Sequence, residues 1–115
     1  MPLIKLQTTE EVSAALRDEV LSALSVLIAD SLGKPEQYVM ACVESASIRM
    51  SGEDGPAAFL EVRSIGVLGG EVNADVSSRV CTLLQELLAI PPERVYINFT
   101  DVVPSDWGWN GTTFG

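Results

Sequence analysis

Histidine is absent from this sequence. That removes Ser-His-Asp and Cys-His nucleophile arrangements and every metal site that needs an imidazole. Cysteine is nearly absent: Cys42 and Cys81 stand far apart and make neither a disulfide framework nor a CxxC redox pair. Two buried apolar thiols in a reducing compartment are the simpler reading. Positive charge is scarce, with 7 Lys and Arg against 16 Asp and Glu for a net charge of −9. Lys5, Arg17, Lys34, Arg49, Arg63, Arg79 and Arg94 are scattered without a stripe or cluster, so nucleic acid and anionic membrane are poor partners. No apolar run approaches the roughly 20 residues that span a bilayer. Met1-Pro2-Leu3-Ile4-Lys5 carries no signal-peptide pattern, and the cytoplasm is the expected location. Glu10-Glu11, Asp18-Glu19 and Glu53-Asp54 are dispersed, solvated charge rather than an acid pair for glycosidase chemistry.

What is present is apolar and patterned. Of 115 residues, 47% are hydrophobic and 20% charged, which excludes a disordered chain. The length suits one domain, residues 1–115, able to bury about two thirds of its open-chain surface. Displaced by about 56 positions, the sequence falls on itself in pattern. Leu3, Ile4 and Leu6 meet Phe59, Leu60 and Val62; Leu16, Val20, Leu24, Leu27, Ile28 and Leu32 meet Val72, Val76, Val80, Leu83, Leu84 and Leu88. Pro35 meets Pro91, Val39 meets Val95 and Val43 meets Phe99. Pseudo-repeats over 2–46 and 57–101 are expected, followed by a β ribbon over 102–115.

Each half reads strand, helix, strand. Leu3–Thr8 alternates as a strand does, and Glu11–Leu32 keeps one apolar helical face. Thr8 or Thr9 is expected to cap that helix, with Glu10 and Glu11 at the positive end of its dipole. Gly33 and Pro35 stop it. Tyr38–Val43 is a strand apolar on both sides, and 45–56 is a loop. The second half gives a strand over 58–65, a Gly66/Gly69/Gly70 turn, a helix over 72–89, Pro91-Pro92 and a strand over 94–101. The fold class is therefore α+β: two βαβ repeats forming a four-stranded mixed sheet with both helices on one face. The other face lacks a cover, yet Tyr38–Val43 suits a strand buried on both sides. Other subunits are expected to supply the cover, with Val102–Gly115 packing on a neighbour.

Few groups are left to do chemistry. Removal of Met1 would free the Pro2 nitrogen, a secondary amine at the start of a strand; with Met1 retained, that nitrogen is an amide and no base. Burial and a nearby lysine both lower an amine's pKa, giving a neutral base at pH 7. The alternative is that Pro2 merely suits Met1 removal. Lys34, after a helix end, either satisfies the helix C-terminus or holds an anion such as a carboxylate or enolate. Ser64-Ile65-Gly66-Val67-Leu68-Gly69-Gly70 lacks both GxGxxG and GK[ST], so its glycines read as room for backbone to approach a ligand or a neighbouring chain. Tyr96 and Asn98 share one face of a strand, and either find partners there or line a pocket.

Pro2, Gly33-Lys34-Pro35 with Tyr38, Ser64-Ile65-Gly66, Leu68-Gly69-Gly70, Arg94-Val95-Tyr96-Ile97-Asn98 and Gly108-Trp109-Asn110-Gly111-Thr112-Thr113-Phe114 run in this order and spacing over the whole chain. Together they strongly resemble the macrophage migration inhibitory factor family of the tautomerase superfamily. The resemblance implies a homotrimer of βαβ pairs that adds C-terminal strands to neighbouring sheets. It implies a cofactor-free, metal-free isomerase for keto–enol tautomerisation of phenylpyruvate-type α-keto acids, with dopachrome-like compounds as surrogates. Carried over by position, Pro2 is the base and then the acid. Lys34 and the backbone of Ile65 hold the carboxylate or carbonyl side, and Tyr96 and Asn98 reach in from the adjacent subunit. Tyr38, Trp109 and Phe114 wall the ring. The alternative the resemblance leaves open is a cytokine-like ligand with a vestigial or secondary pocket, a receptor-type protein partner and a leaderless route of secretion.

The sequence departs from vertebrate members of that family at four places, one of them the divergent Glu44–Pro56 loop, of the kind that decides protein partners. Their CxxC falls on Ala57-Ala58-Phe59-Leu60, so no thiol-oxidoreductase activity is expected. Thr100 stands for a tyrosine. Trp107 stands for a small apolar residue at the pocket mouth, where a second indole narrows the opening or stacks on substrate.

Overall fold

In the computed structural model, which describes all 115 residues, Pro2–Thr8 alternates fully and partly buried side chains and forms strand β1. Helix α1 (Ala14–Leu32), strands β2 (Met40–Ser45) and β3 (Ala58–Ser64), helix α2 (Gly70–Leu88) and strand β4 (Val95–Asp101) follow. The sheet order is β2-β1-β3-β4. β1 pairs with β2 and β3 with β4 in parallel, and the two central strands run antiparallel. The sheet is therefore mixed, with β2 and β4 at its edges. Ile4 and Leu6 of β1 and Leu60 and Val62 of β3 are fully buried on one face. Val20, Leu24, Ile28 and Leu32 of α1 and Val76, Val80, Leu84 and Leu88 of α2 complete that core. Both helices thus cover the same face, because each has one apolar stripe to bury. Neither helix is long and apolar enough to cross a membrane.

The start of α1 differs from the expected one. Ser13, not Thr8 or Thr9, is the N-cap, its Oγ accepting the Leu16 N–H at 3.2 Å. The threonines are engaged elsewhere. Thr8 Oγ1 donates to the Ala57 carbonyl at 3.1 Å, and Thr9 both accepts from the Ala57 N–H and donates its own N–H to the Ala57 carbonyl. They seal the end of the β1–β3 ladder, and Val12, buried in the core, draws the chain inward before the helix begins. Glu10 and Glu11 consequently lie outside the first helical turn.

The expected start of the second strand is also corrected. Tyr38 belongs to a single 3-10 turn, Glu36–Tyr38, and β2 begins only at Met40. β2 is an edge strand whose Ala41 and Val43 pack on the core, whereas Met40 is 64% exposed. Nothing in the chain itself covers the second face. Both cysteines are free and half-buried rather than buried.

Two long segments are tied down by few contacts. The 46–57 loop is held by Arg94, whose guanidinium donates to the carbonyls of Pro56 (2.7 Å), Glu53 (3.1 Å) and Met50 (3.3 Å). After β4, the Val102 N–H reaches the Ser64 carbonyl at 2.8 Å. The tail then folds into a tiny antiparallel ribbon, β5 (Gly108–Trp109) with β6 (Thr112–Thr113). Its turn, Asn110-Gly111, has positive φ at both residues, as the two-residue hairpin turn requires. The ribbon is closed within the tail itself, with the Phe114 N–H returning to the Trp107 carbonyl.

Candidate active site

The site gathers where β1 starts, α1 ends and the tail returns. Pro2 is the first residue of β1, buried and paired in register with Ser64, the last of β3. Residue 1 is Met1, so the terminal amine is Met1's and the Pro2 nitrogen is an amide. That amine is held below the usual α-amino range, first by burial and then by the charge of Lys34.

Lys34 owes its place to the end of α1. Gly33 takes a left-handed φ of 63°, and the Lys34 N–H closes back on the Ala29 carbonyl at 3.0 Å. The chain turns out of the helix axis, and Lys34 Nζ crosses to the Ile65 carbonyl at a long 3.5 Å. No carboxylate pairs with it. Its ammonium therefore keeps donors to spare for an anion. The Ile65 turn is fixed from the other side, where the Gly66 N–H donates to Asp101 Oδ1 at 2.8 Å. Gly66 and Val67 both have left-handed φ, 73° and 74°. That is costly for a branched side chain, so the surroundings impose this turn. Beside it, Ser64 Oγ is buried without a hydrogen-bond partner.

A cavity of about 560 Å³ opens against Pro2. Tyr38, Trp107 and Trp109 wall it, with Met40 and Val102. Phe114 stands behind Trp109, ring centroids 5.8 Å apart and nearly parallel, and so acts as the support of that wall. Pro2, Tyr38, Trp107 and Trp109 thus share one cavity; Lys34 and Ile65 lie outside its lining, although the charge of Lys34 reaches the terminal amine. Tyr96 and Asn98 do not join them. They lie on the uncovered face of edge strand β4, in register with Phe59 and Glu61, with β3 between them and β1. Tyr96 is 66% exposed.

Arg63, Gln37 and Asp106 also line the cavity and were not singled out from sequence. For Arg63 a signal existed: strand alternation sets it opposite Ser64, two residues before Ile65. No group of three or more Cys, Asp or Glu side chains is disposed to hold a metal ion.

Comparison with known proteins gives this arrangement a family. A sequence model of macrophage migration inhibitory factor (MIF) matches residues 1–115. The chain belongs to the MIF family. It is 40% identical over 115 residues to a MIF homolog of Trichuris trichiura, covering 99% of this chain and 100% of the relative. It is 39% identical over 102 residues to MIF of Mus musculus, covering 88% and 89%. The crystal structure of a MIF homologue from Prochlorococcus marinus superposes with a TM-score of 0.93 at 41% identity, covering 98% of this chain and 99% of that one. The four-stranded mixed sheet with two helices on one face is thus the fold of this MIF homologue.

Proposed function

We propose that this MIF-family chain is a cofactor-free keto–enol tautomerase for phenylpyruvate-type α-keto acids, working through the Pro2 amine once Met1 has been removed. The observation that carries the reading is the lowered pKa of the terminal amine, set beside Lys34 at the end of an aromatic-walled cavity. Removal of Met1 moves the terminal amine one residue inward, onto buried Pro2, where burial and the charge of Lys34 are expected to act in the same direction. A neutral amine at pH 7 takes a proton from the carbon beside the keto group. The C–H electron pair becomes the enol double bond, and the carbonyl oxygen takes on negative charge. Lys34 stabilises that charge and the adjacent carboxylate. The Pro2 ammonium then gives its proton to that oxygen, which completes the enol and restores the neutral amine; in the reverse direction the amine takes the enol O–H proton and returns it to carbon. Tyr38, Trp107 and Trp109, backed by Phe114, take the ring.

Tyr96 and Asn98 enter from the adjacent subunit of a homotrimer. What supports this is their place on an exposed edge strand, together with a sheet face that the chain leaves open. Sedimentation should give the mass of three chains; a monomer would remove Tyr96 and Asn98 from the site.

The test is the conversion of phenylpyruvate between enol and keto forms, on protein whose intact mass shows Met1 absent. Turnover should show an acidic limb, lost as the Pro2 amine protonates. No turnover above buffer by an intact assembly would overturn the reading.

A further inference from the structure

Lys34 is not the only cation near the start of β1. Arg63 lines the cavity, alongside Pro2, Leu3, Tyr38 and Trp107. The two approach from opposite sides of the sheet. Lys34 leaves the end of α1 on the helix side and reaches the Ile65 carbonyl. Arg63 alternates with the buried Val62 and Ser64 of β3, so its side chain projects from the uncovered face, where it stands in register with Leu3 of β1. Pro2, at the start of β1, lies between the two.

Arg63 has little to do structurally. Its one partner is Glu61 Oε1 at 3.3 Å, reached by a single Nη2 from a half-exposed side chain. A pair of that kind is readily exchanged, and the remaining guanidinium N–H groups are unengaged. Such a fork fits a carboxylate with two parallel hydrogen bonds, which an ammonium does not. The cavity around it is otherwise mostly aliphatic and aromatic, and Asp106 is the one acid in its wall. Asp106 makes no ion pair with Arg63, and its charge steers an anionic group away from the Trp107 side.

We propose that Arg63 is a second anion-binding point of this site, and that the preferred ligand is an aromatic α-keto acid with a further acidic group on the far side of its ring. The keto-acid end of this ligand rests on the tautomerase reading; the Arg63 subsite does not. In the complex Arg63 turns from Glu61 to the distal carboxylate, while Lys34 takes the proximal one and the ring lies among Tyr38, Trp107 and Trp109.

Two probes without an enolisable carbon, cinnamate and 4-carboxycinnamate, separate the subsite from catalysis. Calorimetric titration of the assembled protein should show the dianion binding about tenfold more tightly, the lower end of what a charge-assisted pair contributes. Arg63→Ala should bring the ratio close to one. Arg63→Lys should keep part of it, and Arg63→Gln, which retains bulk, should lose it while melting like the wild type. A ratio near one in the wild type, no binding of either probe, or an unchanged ratio in Arg63→Ala overturns the subsite. Failure of phenylpyruvate turnover leaves the ratio readable, and turnover with a flat ratio removes Arg63 alone.

Discussion

In the first half of the chain, β1 buries Ile4 and Leu6 while α1 buries Val20, Leu24, Ile28 and Leu32. In the second half, β3 buries Leu60 and Val62 while α2 buries Val76, Val80, Leu84 and Leu88, at the same spacing. Each helix has 19 residues and ends in a left-handed residue, Gly33 or Ala89. The halves part company just beyond these shared positions. Where the first has Pro2, the second has Ala58. Where the first turns Lys34 outward, the second buries Ile90 completely. Where the first sets Tyr38 in a cavity wall, the second has Arg94 gripping a loop. The core tolerates only like for like, so its residues stay in step. The strand starts and helix exits lie at its margin, and there one half carries a site while the other carries plugs and staples.

That contrast can be broken in order of expected effect. Pro2→Gly should cut tautomerase turnover by about 10² or more while leaving the melting curve in place; undiminished turnover would mean the distinctive residue of the first half is not its base. Leu24→Ala and Leu84→Ala should each cost about 2–5 kcal/mol in urea unfolding, since both side chains are fully buried. Costs within about 1 kcal/mol of each other would show that the two stripes share one core equally. Lys34→Ala should raise KM for the acid by about tenfold or more and far less for its methyl ester; equal effects would deny Lys34 the carboxylate. The same substitution should move the terminal amine's titration upward, because one of the two causes holding it down is gone. The sign for stability follows. The folded chain binds fewer protons than the unfolded one between the lowered and the ordinary pKa, so stability climbs with pH there, and Lys34→Ala should flatten that climb. Smallest, Ser13→Ala should cost about 1 kcal/mol, as loss of an N-cap does, with no counterpart at Gly69, which caps α2 without a side chain.

The two helical stripes and all four strands were legible because burial on one face imposes a period on the residues themselves. The cap of α1 was not, since Thr8 and Thr9 are claimed by Ala57, remote in sequence and near only after β1 and β3 pair. Nor was the edge position of β2 within the chain: apolar residues such as Met40 read alike at an edge and in the middle of a sheet. Pro2 and Lys34 were readable as odd residues at element ends, whereas Tyr38, Trp107 and Trp109 entered as pocket residues only through the family resemblance. Arg63 depended on the β1–β3 register, which sets it beside Leu3. Tyr96 and Asn98 were correctly assigned to one strand face, but their separation from Pro2 is a matter of strand order, which no local pattern encodes.

The grip of Arg94 reaches further than the fold it closes. It takes hold of Met50, Glu53 and Pro56 by their carbonyl oxygens alone, groups that nearly every amino acid supplies. Capture of that sort is blind to side chains. Apart from Gly52 and Gly55, whose positive φ angles shape the turns, the exposed segment between can change its letters, and so what it shows to the outside, while its path across the surface stays as it is. The loop is a display site whose frame and whose message are written in different residues.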